Sequence, residues 1–259
     1  MLKKIIKYGL VTLAWLLLWQ IAAQLVNESL LLPGPISVGA RICELCATLD
    51  FYKAIATSLA RVVAGIFIGV VIGALAGLLT ALSSVARAFF SPALAIIKAT
   101  PVASFIFLIV LWISREMAPI IISAMVVTPI VWSNVEAGIL NADLSLLEMA
   151  KAYRMSRWAT IRYIYLPNVY PYLFASMRAS VGMAWKAGIA AEVLLFPILS
   201  IGRMISDANT LLETTDLFAW TVVVILLSVI IEKLMVLLFS AITARGLSAM
   251  KGGERIDRA

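Results

Sequence analysis

From Ala54 to Leu82 the chain runs through a continuous apolar stretch whose only charged residue is Arg61. A helix of that length is apolar all round, and such a helix belongs in the core of a large protein or in a bilayer. Five further apolar runs follow the same pattern. Of the 259 residues 63% are hydrophobic and only 14% charged, against about 45–50% and 25% in soluble domains. A core built from 259 residues cannot absorb that excess. A soluble enzyme, a nucleic-acid binder and a secreted disulfide scaffold are excluded as leading readings, and the fold class is all-α: a polytopic membrane protein.

Histidine is absent, which removes the commonest general base and the commonest metal ligand. Cys43 and Cys46 stand in a CxxC spacing, too few thiolates for a closed zinc site. They read as two small buried hydrophobes, with a local disulfide as the other possibility. The net charge of +7 fits basic cytoplasmic loops rather than nucleic-acid binding.

Six spans are expected, at about 8–26, 54–82, 92–113 with an interruption at Pro101, 118–140 with Pro129 inside, 170–195 and 217–243. Residues 83–91 read as a polar break. Leu32-Pro33-Gly34-Pro35 ends the first span, and Ile36, Ala40, Cys43 and Ala47 recur at the spacing of a short interfacial helix. Glycines at 65, 69, 73 and 77 repeat every four residues, which lets another helix approach closely. An even number of spans puts both termini on one side. That side holds Lys3, Lys4, Lys7, Arg87, Lys151, Arg154, Arg157, Arg162, Arg245, Lys251, Arg255 and Arg258. The opposite loops hold Glu28, Glu44, Asp50, Glu116, Asp207, Glu213 and Asp216. The excess of Lys and Arg places both termini and the 141–167 loop in the cytoplasm. Residues 1–259 read as a single transmembrane domain.

The 141–167 loop is the one long charged segment between spans. Ser145 and Glu148 have capping-box spacing, so a helix is expected to start at Ser145. Leu146, Met149, Ala150 and Tyr153 then share one face. A second short helix from Arg157 would group Trp158, Ile161 and Tyr165 until Pro167 stops it. Two short amphipathic helices outside the bilayer leave an apolar face for a lipid surface or a partner's groove, and the loop's length and charge favour the groove.

Glu148-Met149-Ala150, followed at fixed spacing by Ile164, Leu166 and Pro167, resembles the EAA loop of permease subunits in binding-protein-dependent ABC importers. That pattern is Glu-Ala-Ala, a glycine six residues after the glutamate, then Ile-x-Leu-Pro; Met149 and Arg154 depart from it, the latter where glycine is usual. Leu32-Pro33-Gly34-Pro35, Thr57-Ser58-Leu59-Ala60-Arg61, Lys98-Ala99-Thr100-Pro101 and Thr215-Asp216-Leu217 are similar to the nitrate/sulfonate/taurine branch. The resemblance implies the type I importer permease fold, with a core at about 54–245 and an extra N-terminal span. It implies a second permease copy, an extracytoplasmic solute-binding protein, and two cytoplasmic ATPases that carry the ATP and Mg²⁺. The coupling interface would be Ser145, Glu148, Met149, Ala150, Tyr153, Arg154, Trp158, Leu166 and Pro167. The chain has no GxxxxGK[ST] phosphate loop, so it binds no cofactor of its own and is expected not to be an enzyme.

Ionisable groups at membrane depth are costly and usually face a cavity or another helix. Asn134, Arg178, Met183, Trp185, Lys186 and Glu192 form a candidate pathway set, with helix packing as the competing role. A cation at 178 or 186 suits a small anion. Arg61, Lys98, Glu136 and the Glu232-Lys233 pair sit near span ends and are expected to snorkel. Two other functions compete. A coupling subunit of an energy-coupling-factor vitamin importer is suggested by Ala244-Arg245-Gly246, although that family carries two such tripeptides. A secondary transporter would run on an ion gradient with no ATPase bound.

Overall fold

In the computed structural model the described residues, 2–28 and 30–253, are helices and connecting loops, with no strand among them. The helices are α1 (Leu2–Val26), α2 (Pro35–Cys46), α3 (Leu49–Leu82), α4 (Ser84–Ala99), α5 (Val102–Ile109), α6 (Ala118–Leu140), α7 (Leu144–Ala152), α8 (Arg157–Thr160), α9 (Leu166–Leu195), α10 (Ile201–Thr210) and α11 (Thr214–Gly253), with a π-turn at Ile161–Tyr165 between α8 and α9. Arg255 and Arg258 lie outside the described residues, as do the side chains of Lys3, Lys4, Arg245 and Lys251. The chain divides into two compact units, residues 1–60 with 189–227 and residues 61–188 with 228–259.

The second unit is organised by the glycine repeat of α3. A Cβ on Gly69 would lie 2.8 Å from the Ala124 carbonyl oxygen and 2.7 Å from the Val127 Cβ. On Gly73 it would lie 2.7 Å from the Thr128 oxygen, and on Gly77 2.6 Å from that of Trp132; Gly65 is as close to Ile120 and Ser123. The contacts advance together along both helices, so α3 and α6 run parallel with their backbones touching over about three turns. Ion pairs close both ends, Arg61 with Glu116 and Arg87 with Glu136, the latter at 2.7 Å. Between them the Trp132 indole donates to Thr80 at 2.9 Å. Of the residues expected to snorkel, Arg61 and Glu136 are thus paired within the protein. α9 packs against α6 in the opposite direction: Asn168 donates to the Gly138 carbonyl at 2.6 Å, and Ser123 donates to that of Ala184 at 3.3 Å.

Within the first unit, Arg41 of α2 donates to both carboxylate oxygens of Asp216 on α11, at 2.5 and 2.9 Å, and to Glu44 at 2.7 Å. These carboxylates raise the guanidinium pKa above its ordinary value, Asp216 foremost. Trp19 stacks on Phe218 and donates to the Pro33 carbonyl at 3.1 Å, holding α1 to the Leu32–Pro35 corner.

Among the described residues four helices are long and apolar enough to cross a bilayer, α1, α3, α6 and the first 22 residues of α11; α4 with α5 makes a fifth if the bent pair is one span. The expected third span is therefore not straight. α4 begins at Ser84, capped by Ser83, so the expected polar break is helical, and α5 turns away by 102° after Thr100 and Pro101. Pro101 has no N–H to donate and pushes Thr100 into extended backbone (ψ 129°). The expected fifth span, α9, is long enough at 30 residues but carries too much polarity to pass as a lipid-facing helix. α2 forms as expected with its inward face rotated: Val38 is buried, while Ile36, Ala40, Cys43 and Ala47 are exposed. Both cysteines are free thiols, Cys43 exposed and Cys46 half-buried, rather than buried hydrophobes or a disulfide.

The glycine seam gives a direct test. Gly73→Val forces a side chain against backbone and should lower stability by about 1–3 kcal/mol, read as a drop in melting temperature of the detergent-solubilised protein. Gly39→Ala, where nothing lies within 4 Å, should leave that temperature unchanged or raise it.

Candidate functional site

The α7–π-turn segment leaves α6 at Asn141 and returns to the bundle at α9. α7 starts one residue earlier than expected, at Leu144, because Asp143 and not Ser145 is its cap. The Asp143 carboxylate accepts from the Ser145 amide at 2.9 Å and from its hydroxyl at 2.8 Å. A carboxylate is the stronger acceptor for a helix's first amides, so Ser145 becomes a donor and the capping box does not form. The Ser145 hydroxyl, and then its amide, hold the Asp143 pKa below its ordinary value. A depressed carboxylate stabilises the fold above its unfolded pKa, and that contribution is lost as pH falls through the folded value.

Freed from capping, Glu148 is exposed and makes no hydrogen bond or ion pair among the described residues. On another face of α7, Leu146, Met149 and Tyr153 are 42%, 44% and 80% exposed, while Ala150 among them is buried. Trp158 is 70% exposed. The expected apolar face is exposed except at Ala150.

Arg154 sits in the left-handed region at φ 52°. The Met155 amide bonds to the Ala150 carbonyl at 2.9 Å and the Arg154 amide to that of Lys151 at 3.1 Å, the two bonds of a Schellman motif with Arg154 at the position glycine prefers. The turn takes the left-handed conformation that glycine favours, with an arginine in that place.

Pro167 does not stop the helix from Arg157. The Leu166 amide reaches back five residues to the Ile161 carbonyl, and this one-residue widening ahead of Pro167 lets the helix continue into α9. Leu166 is exposed and Pro167 half-buried. Asn168 and Gly138, which tie the start of α9 to the end of α6, carry no signal in the sequence beyond being small and polar.

The six pathway candidates separate. Arg178, Met183 and Lys186 are exposed on α9 and share a stripe with Ala175, Ala179 and Ala190. Trp185, on the same helix, is fully buried. Asn134 donates back to the Ile130 carbonyl of its own helix at 2.8 Å. Glu192 belongs to the other unit, where it is fully buried and accepts from Ser58 at 2.6 Å and from the Gly202 amide at 3.3 Å, at the start of α10.

A cavity of about 200 Å³ opens at the α4–α5 bend, lined by Ile97, Lys98, Thr100, Val102, Phe105, Ile122, Met125, Val126, Pro129, Ile130 and Met183. Of the six candidates only Met183 lines it. Lys98 is exposed, and its ammonium donates to Ser133 of α6 at 2.6 Å. The helix-breaking Thr100-Pro101 pair beside Lys98 is the signal that could have pointed here.

The left-handed Arg154 costs about 1–2 kcal/mol relative to glycine. Arg154→Gly should recover part of this, slowing hydrogen exchange of the Met155 amide. Asp143→Ala should do the reverse at the other end of α7, speeding exchange of the Ser145 amide. The wild-type Ser145 amide should lose protection in the same way as pH drops below the ordinary aspartate range.

Residues 54–247 match the family model described as "Binding-protein-dependent transport system inner membrane component". The chain is 30% identical over 218 residues to the putative aliphatic sulfonates transport permease protein SsuC of Escherichia coli K12, covering 83% of this chain and 81% of that one. It is 28% identical over 210 residues to the bicarbonate transport system permease protein CmpB of Synechococcus elongatus, covering 76% and 74%. In fold it is similar to a chain of the MetNI methionine ABC transporter in an inward-facing conformation, with a TM-score of 0.64 at 16% identity over 74% of this chain and 95% of that one. With several apolar helices and a matched segment spanning most of its length, this multi-pass membrane protein belongs to the family of binding-protein-dependent transport system inner membrane components.

Proposed function

We propose that the chain is the transmembrane permease subunit of an ATP-driven importer, coupled to ATPase subunits through residues 144–167. The observation that carries this reading is the uncovered face of α7. Leu146, Met149 and Tyr153 form an exposed apolar patch, and an unpaired Glu148 projects from a neighbouring face of the same short helix, which is held by a cap at one end and a Schellman turn at the other. A rigid amphipathic helix with one exposed face fits a groove in a partner. Ser145, Arg154, Trp158, Leu166 and Pro167 hold or flank that face.

Residues 1–259 act as one permease domain, with core 54–245 and α1 as an added span. The loop and both termini face the cytoplasm, where two ATPase subunits bind ATP and Mg²⁺. This chain supplies no catalytic group. An extracytoplasmic binding protein delivers the solute, and a second copy of the chain completes the pathway. The exposed stripe of α9 supports that arrangement. Arg178 and Lys186 on a face otherwise made of alanine and Met183 are poorly suited to lipid, and small residues allow close helix approach. The stripe therefore lines water or the second copy. Relatives named for aliphatic sulfonate and bicarbonate transport favour a small anionic solute, which the two cations suit. Neither a vitamin-importer coupling subunit nor a gradient-driven transporter explains the full run of matched motifs.

Glu148→Arg should leave membrane insertion intact and abolish solute-stimulated ATP hydrolysis by the assembled complex. Hydrolysis and uptake at wild-type rates would overturn the coupling role. Uptake that follows an ion gradient and ignores ATP would favour the secondary transporter.

A further inference from the structure

The face of α9 that carries Arg178 and Lys186 holds a third charge, brought to it by α11 within the same unit. Gly182 lies near the middle of α9 (Leu166–Leu195), four residues after Arg178 and four before Lys186. The three positions therefore share one face at i, i+4 and i+8. A Cβ on Gly182 would overlap the Glu232 carboxylate and would lie 3.2 Å from its Cδ and 3.7 Å from its Cγ. The three atoms nearest that point all belong to Glu232. At Gly188, the other glycine of the helix, the space is taken by Val62 and Ser123, which is ordinary helix packing. Glu232 thus does not reach for a span end, as its position in the sequence suggests. Its carboxylate rests on bare backbone at the middle of α9.

Ionisable groups within spans pair with one another or with backbone, because each alone is costly there. Glu232, Arg178 and Lys186 make no hydrogen bond or ion pair among the described residues. Residues four apart on a helix have Cβ atoms about 5–6 Å apart. A carboxylate at the Gly182 position therefore stands about one turn from the root of each cationic side chain, within reach of both and fixed to neither. Two cations and one carboxylate leave this face with one net positive charge. Lys233, the next residue, sits about 100° further round α11. Glycine in a helix interior is destabilising relative to alanine, and Glu232 is what occupies the space that this glycine leaves.

We propose that Glu232 is the resident counter-ion of Arg178 and Lys186, and that Gly182 is its seat. Held on bare backbone between the two cations, the carboxylate halves the positive charge that this face of α9 presents. Glu232 is thus a positioning residue, acting through the two cations to set how strongly the face attracts anions. The proposal rests on the permease reading for its place in transport, while the seat and its charge stand without it.

The test uses the assembled complex in detergent, free of nucleotide and solute, with Cys43→Ser and Cys46→Ser and with Met183→Cys as a reporter beside Gly182; Met183 is exposed. The thiol is labelled in parallel with sulfonatoethyl and trimethylammonioethyl methanethiosulfonate, and the ratio of the two rates reads the local potential. Glu232→Gln should shift that ratio about tenfold toward the anionic reagent, as removal of one nearby charge predicts. Arg178→Gln or Lys186→Gln should shift it the other way. Gly182→Ala keeps every charge and removes only the seat, so it should shift the ratio in the direction of Glu232→Gln. In the double variant it should add nothing to Glu232→Gln, because the two changes act through one contact. A ratio unmoved by Glu232→Gln or by Gly182→Ala, a Gly182→Ala effect that persists in full in the double variant, or a thiol that neither reagent labels would each overturn the proposal. The coupling role fails separately: wild-type hydrolysis in Glu148→Arg with the expected ratios here sinks coupling alone, and unmoved ratios with coupling lost in Glu148→Arg sink the counter-ion alone.

Discussion

The close contact of α3 with α6 is the constraint on which the second unit depends. Four glycines in register remove the side-chain layer between the two helices, and each would place a Cβ against backbone or Cβ atoms of α6. In a bilayer the hydrophobic effect does not drive two apolar helices together, so their association rests on close packing and on the polar groups they share. The seam supplies the packing. Arg61 with Glu116 and Arg87 with Glu136 supply the polar pins at its ends. Between those pins α6 is a stiff, parallel partner of α3, and three features of this unit hang from α6: the groove along its middle, the proposed coupling loop at its C-terminal end, and α9 packed antiparallel on it.

The polar groups of the membrane helices follow one rule, that each is answered locally or points at something that answers it. Thr80 and Trp132 bond to each other, Asn134 bonds to its own helix, Asn168 bonds across to the Gly138 carbonyl, and Glu192 accepts from Ser58 and Gly202. Lys98 is answered in part, by Ser133. Arg178 and Lys186 stand on an exposed stripe of small residues. Arg178 and Lys186 are also part of why α9 is less apolar than the other expected spans.

Much of this was legible in the residues, and the misses share a cause. Hydropathy located α1, α3, α6 and α11, since an apolar run of that length has one destination. The glycine repeat pointed to a helix–helix seam but could not name the partner, which depends on long-range packing. The rest turned on competition between local groups. Ser145 fits the capping box, yet Asp143 is two residues earlier and carries a full charge. Pro167 ends most helices, yet a π-turn absorbs it. Pro101 breaks the span as expected, but the 102° bend and the cavity it opens are set by what α6 offers on the other side. The Arg154 departure concerned the turn and proved harmless to its geometry, because the two Schellman hydrogen bonds hold an arginine where a glycine would rest without strain. Among the pathway candidates, composition could not separate Met183, on the cavity wall, from Trp185, which lies two residues on and faces the protein interior.

A coupling loop is useful only if its displacement reaches the groups that hold the solute, and the second unit provides a short mechanical route. From Pro129 at the cavity to Leu140 at the end of α6 is about three turns of continuous helix, roughly 16 Å. α7 follows after a three-residue corner whose last residue is the Asp143 cap. The loop is itself fixed at both ends, and its return into α9 is tied to α6 by Asn168. A push on the face around Glu148 therefore has few soft joints in which to dissipate. It acts on α6 and on the start of α9 together, and Met183 on α9 faces the same cavity as Pro129 on α6. The break in the helix ladder lies elsewhere, at Thr100–Pro101, where α4 and α5 share no continuous run of helical hydrogen bonds. A bundle stiff along α6 and bent at Thr100–Pro101 can change the angle between α4 and α5 without unpacking the α3–α6 seam. This is the minimum needed for two sites to bias a single two-state element.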